Sequence, residues 1–153
     1  MLTLTWIELL VGVIPECFVF VFGVYKLTNK PICIKSLLLS TILMTLTTYM
    51  IRLLPIQFGV HTLIIIVIFI LVSIYINKLE TVKAITSILF LFIIRLISEW
   101  FMFFVLKEAF NISTEDLFDN PEKKVIYTLP SLFMFFAMII MAHYIKYKKW
   151  RKR

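Results

Sequence analysis

Five ionisable residues stand within or beside the long apolar stretches of this 153-residue chain: Glu8, Glu16, Arg52, Arg95 and Glu99. A charge in hydrocarbon is expensive, so such residues point to a ligand site, an ion path or a fixed ion pair. Arg95 and Glu99 are four apart and share one helix face, with Ser98 beside it. At about 1.5 Å of rise per residue, Glu16 falls roughly 18 Å into its stretch and Arg95 roughly 16 Å into its own. Both therefore reach the middle of a membrane and are expected to meet. Glu8, Arg52 and Glu99 fall in one half, where Arg52 pairs with Glu8 or Glu99 or extends its stem to the headgroups. These five are the candidate ligand-binding residues. Equally, buried Glu/Arg pairs can fix helix register with no ligand at all. His61 and His143 read as interfacial polar residues.

Pro15 adjoins Glu16. It removes one backbone hydrogen bond and frees a carbonyl near Val11 and Gly12. Gly12 would then let a helix or ligand come close. Pro130 is expected in a first turn, where proline is tolerated. Catalysis finds little support: the chain has no Gly-x-Ser-x-Gly, His-Glu-x-x-His or phosphate-binding loop, and no enzyme activity is expected. Neither Cys17 nor Cys33 has a Cys/His cluster near it, so no metal or cofactor is implied. Cys17 falls in a span and Cys33 in a loop, an arrangement that argues against a disulfide.

The positioning elements follow from composition. Hydrophobic residues make up 61% and charged residues 16%. Soluble proteins carry roughly 45–50% apolar residues. So few polar groups cannot cover a core in water, and lipid must solvate much of the surface. The fold class is all-α: a polytopic bundle of about five transmembrane helices in a single domain. A span needs about 20 apolar residues. The expected spans are 4–25, 36–54, 60–76, 84–106 and 125–145, followed by a basic tail at 146–153. The first reads as a retained span rather than a cleaved signal peptide, lacking a basic start and a small-x-small site. Asn29-Lys30-Pro31 and Leu54-Pro55 interrupt helices. Asn77 to Lys83 is a short charged connection. The longest loop, Lys107 to Lys124, carries a helix start at Ser113 to Asp116.

Orientation follows from Lys and Arg placement. One side collects Lys26, Lys30, Lys35, Lys78, Lys83 and the six basic residues of the tail, eleven in all. The other side has four: Arg52, Lys107, Lys123 and Lys124. The N-terminus is thus expected outside and the C-terminus in the cytoplasm. Trp6, Tyr25, Tyr75, Tyr127, Tyr144 and Trp150 fall at expected interfaces. The net charge of +7 sits beside the spans, which fits anionic lipid and not nucleic acid. No internal repeat is evident.

Several segments resemble the N-terminal membrane sensor regions of clostridial-type histidine kinases, the group with quorum-receptor-like membrane halves and a GHKL-type ATPase domain. They are Thr5-Trp6-Ile7-Glu8-Leu9-Leu10, Ile14-Pro15-Glu16, Arg52-Leu53-Leu54-Pro55-Ile56, Phe58-Gly59-Val60-His61-Thr62 and Ile97-Ser98-Glu99-Trp100. The resemblance implies a sensor. Those kinases continue into a phosphorylatable helix and an ATP-binding domain, which residues 1–153 lack, so it implies a sensor-like module without the kinase. The leading expectation is a signal-sensing or regulatory membrane module that binds a small ligand, peptide or partner at a polar seam. It would act on a cytoplasmic or membrane signalling protein. A small transporter, or the substrate-binding membrane subunit of one, is the alternative. A non-catalytic assembly protein is another.

Overall fold

A computed structural model describes the backbone of residues 8–53, 59–110 and 121–151. Every element among the described residues is helical. A π-helical segment, Glu8–Val13, runs into α1, Ile14–Thr28. The others are α2, Ile34–Leu53; α3, Val60–Tyr75; α4, Thr81–Phe110; and α5, Pro121–Arg151. Leu9–Thr28, Ile34–Leu53 and Thr81–Val105 are long and apolar enough to cross a membrane. Val60–Tyr75 and Leu129–Ile145 are shorter apolar helices.

The helices outrun the apolar runs that mark them. α4 extends past 84–106 at both ends, and Lys83 and Lys107 ride on it. Residues 146–151, expected as a separate tail, continue α5. Pro130, expected in a first turn, lies inside α5. It denies the carbonyl of Ile126 the amide donor four residues on. The expected helix start at 113–116 and the Leu54-Pro55 turn lie outside the described residues.

α1 is the hub. It packs against α2, α4 and α5, while α2 meets α3, α3 meets α4, and α4 meets α5. In lipid, apolar burial does not drive helices together, so close packing and polar ties must do it. Phe20 of α1 supplies the first. Its ring lies 5.5 Å from Phe69 of α3, 4.9 Å from Phe92 of α4 and 4.9 Å from Phe135 of α5. One turn on, Gly23 admits the side-chain ends of Leu91 and Ile139. A Cβ built there would lie 2.9 Å from Leu91 Cδ2 and 3.0 Å from Ile139 Cδ1. No helix approaches at Gly12, where nothing comes within 4 Å of an added Cβ.

The face that α2 turns inward carries Ser40, Thr41, Thr45 and Thr48 beside Leu37, Met44 and Ile51. Hydroxyls cost little on such a face because they bond back to their own helix. Thr41 Oγ1 donates to the Leu37 carbonyl and Thr45 Oγ1 to that of Thr41, both at 2.9 Å.

Candidate functional site: an ion network on three helices

Arg95 is 7% exposed on α4. It lies midway between Lys83 and Lys107, roughly 18 Å from each along the axis, at the centre of the span. Its guanidinium is held from three helices. Nε donates to Glu16 Oε1 of α1 at 2.7 Å. Nη2 pairs with Glu99 Oε1, one turn along α4, at 2.8 Å. Nη1 donates to Ser131 Oγ of α5 at 3.3 Å. The Phe135 ring lies beneath, 6.0 Å from Cζ. Such charge-assisted bonds are what a buried guanidinium needs to offset its desolvation.

The expected meeting of Glu16 with Arg95 is therefore present, and Glu99 joins it. The local cause for Glu16 is the entry to α1. The backbone is π-helical up to Val13 and α-helical from Ile14, with Pro15 in the first turn and Glu16 beside it. Because the helical backbone is continuous through Val13, Pro15 offers no amide to the carbonyl one turn before it, and the change from π- to α-helical register falls at this point. Arg52 is not among the ion pairs of the described residues, which are Lys83–Glu80, Arg95–Glu16 and Arg95–Glu99. It is exposed at the end of α2, close enough for its charge to act on Glu99 and Cys17. The side chain of Glu8 lies outside the described residues. Cys17 is buried, with its thiol in reach of the Thr45 and Thr48 hydroxyls.

The network is asymmetric. The side chain of Arg95 is 9% exposed and that of Glu16 27%, but that of Glu99 is 48% exposed. Glu99 lies only about 6 Å along the axis from Arg95, well inside a hydrocarbon layer about 30 Å thick. Among the described residues, burial on α3 is also one-sided. α3 buries Phe69, Val72 and Ser73, all in its second half, and no residue from Val60 to Ile68 is fully buried.

The opposite end is tied shut by residues that sequence reasoning missed. Tyr25, expected at an interface, is 1% exposed. Its hydroxyl donates to Asn77 Oδ1 at 2.8 Å, and Ser40 Oγ donates to the same oxygen at 3.0 Å. Lys30 Nζ donates to the carbonyls of Asn77 and Lys78. His143, expected as an interfacial polar residue, has Nδ1 3.0 Å from the carbonyl of Lys26. A carbonyl only accepts, so Nδ1 carries the proton. Asn77 carried a signal, being an amide at the edge of a pure apolar run, but it read as a loop start. Ser131 carried none, because serine is ordinary in an apolar helix.

Set against known proteins, the chain matches no family model, no curated protein and no solved structure.

Proposed function

We propose that this chain is a five-span membrane protein, N-terminus outside and C-terminus cytoplasmic, that serves as a signal-sensing or regulatory module. The Lys and Arg distribution supports the orientation. In this reading α3 and the Leu129–Ile145 part of α5 complete the spans, and the slight shortness of α3 is met by local thinning of the bilayer. The resemblance to kinase sensor regions supports the sensing role.

The observation that carries the reading is the half-exposed carboxylate of Glu99 at membrane depth, anchored to a buried arginine. Arg95 is held by acceptors on three helices, which makes it the fixed point of the site. Glu16 and Glu99 each bond Arg95 through one carboxylate oxygen and keep a second. A ligand, peptide or partner helix bearing an ammonium, a guanidinium or another donor fits that arrangement. Movement of α1 against α5 would then carry occupancy to the basic end of α5 and to a signalling partner there. A polar network at membrane depth with a tied connection on one side also suits a small transporter, which would move solute in liposomes.

Native mass spectrometry of the protein in lipid nanodiscs tests the reading. The wild type should carry a bound small molecule or peptide that Glu99→Gln loses while its melting temperature holds. Identical masses in both, with lipid alone bound, would sink it.

A further inference from the structure

We infer that the hydrogen-bonded knot at the Asn77 end is a latch, a gate that closes the bundle on the side of Lys30 and Cys33. The inference does not depend on what occupies the Glu99 end.

The knot joins the two connections that the orientation places on one face. Lys30 comes from the α1–α2 connection, and Asn77 and Lys78 from the α3–α4 connection. Each connection holds a left-handed residue, Asn29 at φ 54° and Lys78 at φ 49°. That turn at Lys78 directs its carbonyl and that of Asn77 to one ammonium. Tyr25 from α1 and Ser40 from α2 converge on the Asn77 side chain. A single short segment after α3 thus gathers α1, α2 and their connection, through polar bonds a modest rotation would break.

Two features distinguish a latch from a permanent clasp. The first is unused bonding. Asn77 Nδ2 and Ser73 Oγ are buried with no hydrogen-bond partner. Both atoms therefore keep bonding capacity that the closed arrangement does not use within the protein. A shifted α3 end, or entering water, would satisfy them and offset the bonds given up by Lys30 and Tyr25. The second is what the knot shuts off. Beyond it the inward face of α2 continues through Thr41, Thr45 and Thr48 to the thiol of Cys17. Release of the knot gives water a hydroxyl-lined way between α1 and α2 as far as the residue beside Glu16.

Cys17 reports this directly, and Cys33, exposed in the α1–α2 connection, marks the face. A charged, membrane-impermeant methanethiosulfonate reagent is added to vesicles from the side that labels Cys33. In wild type Cys17 should react slowly. Lys30→Met and the milder Tyr25→Phe should each raise its rate about tenfold, as expected when a minor open state of about 1% becomes about 10% populated. The rate at Cys33 should hold and the melting temperature should fall by no more than a few degrees, as a tenfold shift implies, while Lys83→Met, which breaks only the exposed pair with Glu80, should change nothing. An unchanged Cys17 rate in both variants overturns the latch. So does a rise that appears only with loss of helix content.

Discussion

Arg95 and Glu16, 79 residues apart in sequence, share a 2.7 Å charge-assisted hydrogen bond at the centre of the bundle. It joins α4 to α1, the helix that touches most of the others. It also fixes the rotation of both, because a guanidinium Nε–H donates in one direction only. In lipid, where apolar faces gain little from each other, such a bond specifies how the helices mate.

Removing the arginine alone should therefore be severe. Arg95→Leu leaves Glu16 and Glu99 uncompensated, and breaking a buried pair from one side typically costs about 3–5 kcal/mol. The double variant Glu16→Gln/Arg95→Leu should recover a large part of that loss. Steric-trapping unfolding in bicelles measures both. Equal stability of the single and double variants would mean that the bond does not couple the helices.

The two carboxylates should differ. Glu99 is half exposed and pairs within its own helix, so its loss leaves the contacts between helices in place. Glu16 bridges two helices. Glu16→Gln should thus lower the melting temperature clearly more than Glu99→Gln. The reverse order would place the structural role on Glu99 and remove it as the receiving group.

The main elements of this molecule were legible because hydrocarbon is an intolerant solvent. Apolar runs located every helix among the described residues, and counting rise per residue brought Glu16 and Arg95 to one depth. Helix ends were less legible, because backbone hydrogen bonding continues into the headgroup zone where charged residues such as Lys83 and Lys107 are welcome. The knot was illegible for a different reason. Tyr25, Ser40 and Asn77 are each unremarkable where they stand, and only the fold brings their side chains to one oxygen. Ser131 is the same case beside Arg95.

Packing at Gly23 makes a size-dependent prediction. The atoms that a Cβ would meet are the ends of the Leu91 and Ile139 side chains, which can rotate away. Gly23→Ala should cost little, because helix propensity returns up to about 1 kcal/mol. Gly23→Ile adds branched bulk that those ends cannot clear, and overpacking of this kind costs about 1–3 kcal/mol. Ile139→Ala should partly restore it. Thermal melts of the four proteins decide the matter, and an intolerant Gly23→Ala would mean that α1 and α5 cannot adjust at all.

Cys33 tests the orientation and carries its own pH signature. It precedes α2, and its carbonyl accepts the Leu37 amide at 2.9 Å. The backbone N–H of Ser36, then its hydroxyl, holds the Cys33 thiol below its ordinary value. A helix N-terminus favours a thiolate in this way. Alkylation of Cys33 should therefore reach half its maximal rate at a lower pH than that of an unstructured cysteine peptide, and Ser36→Ala should move that midpoint upward. The sign for stability follows. The native thiol ionises before the unfolded one, so its contribution is full above the ordinary thiol pKa and fades as pH falls through the native value. With the orientation proposed, an impermeant maleimide should modify Cys33 in inside-out vesicles and spare it in intact cells. Labelling in intact cells would invert the topology, and with it the side on which the Glu99 end opens.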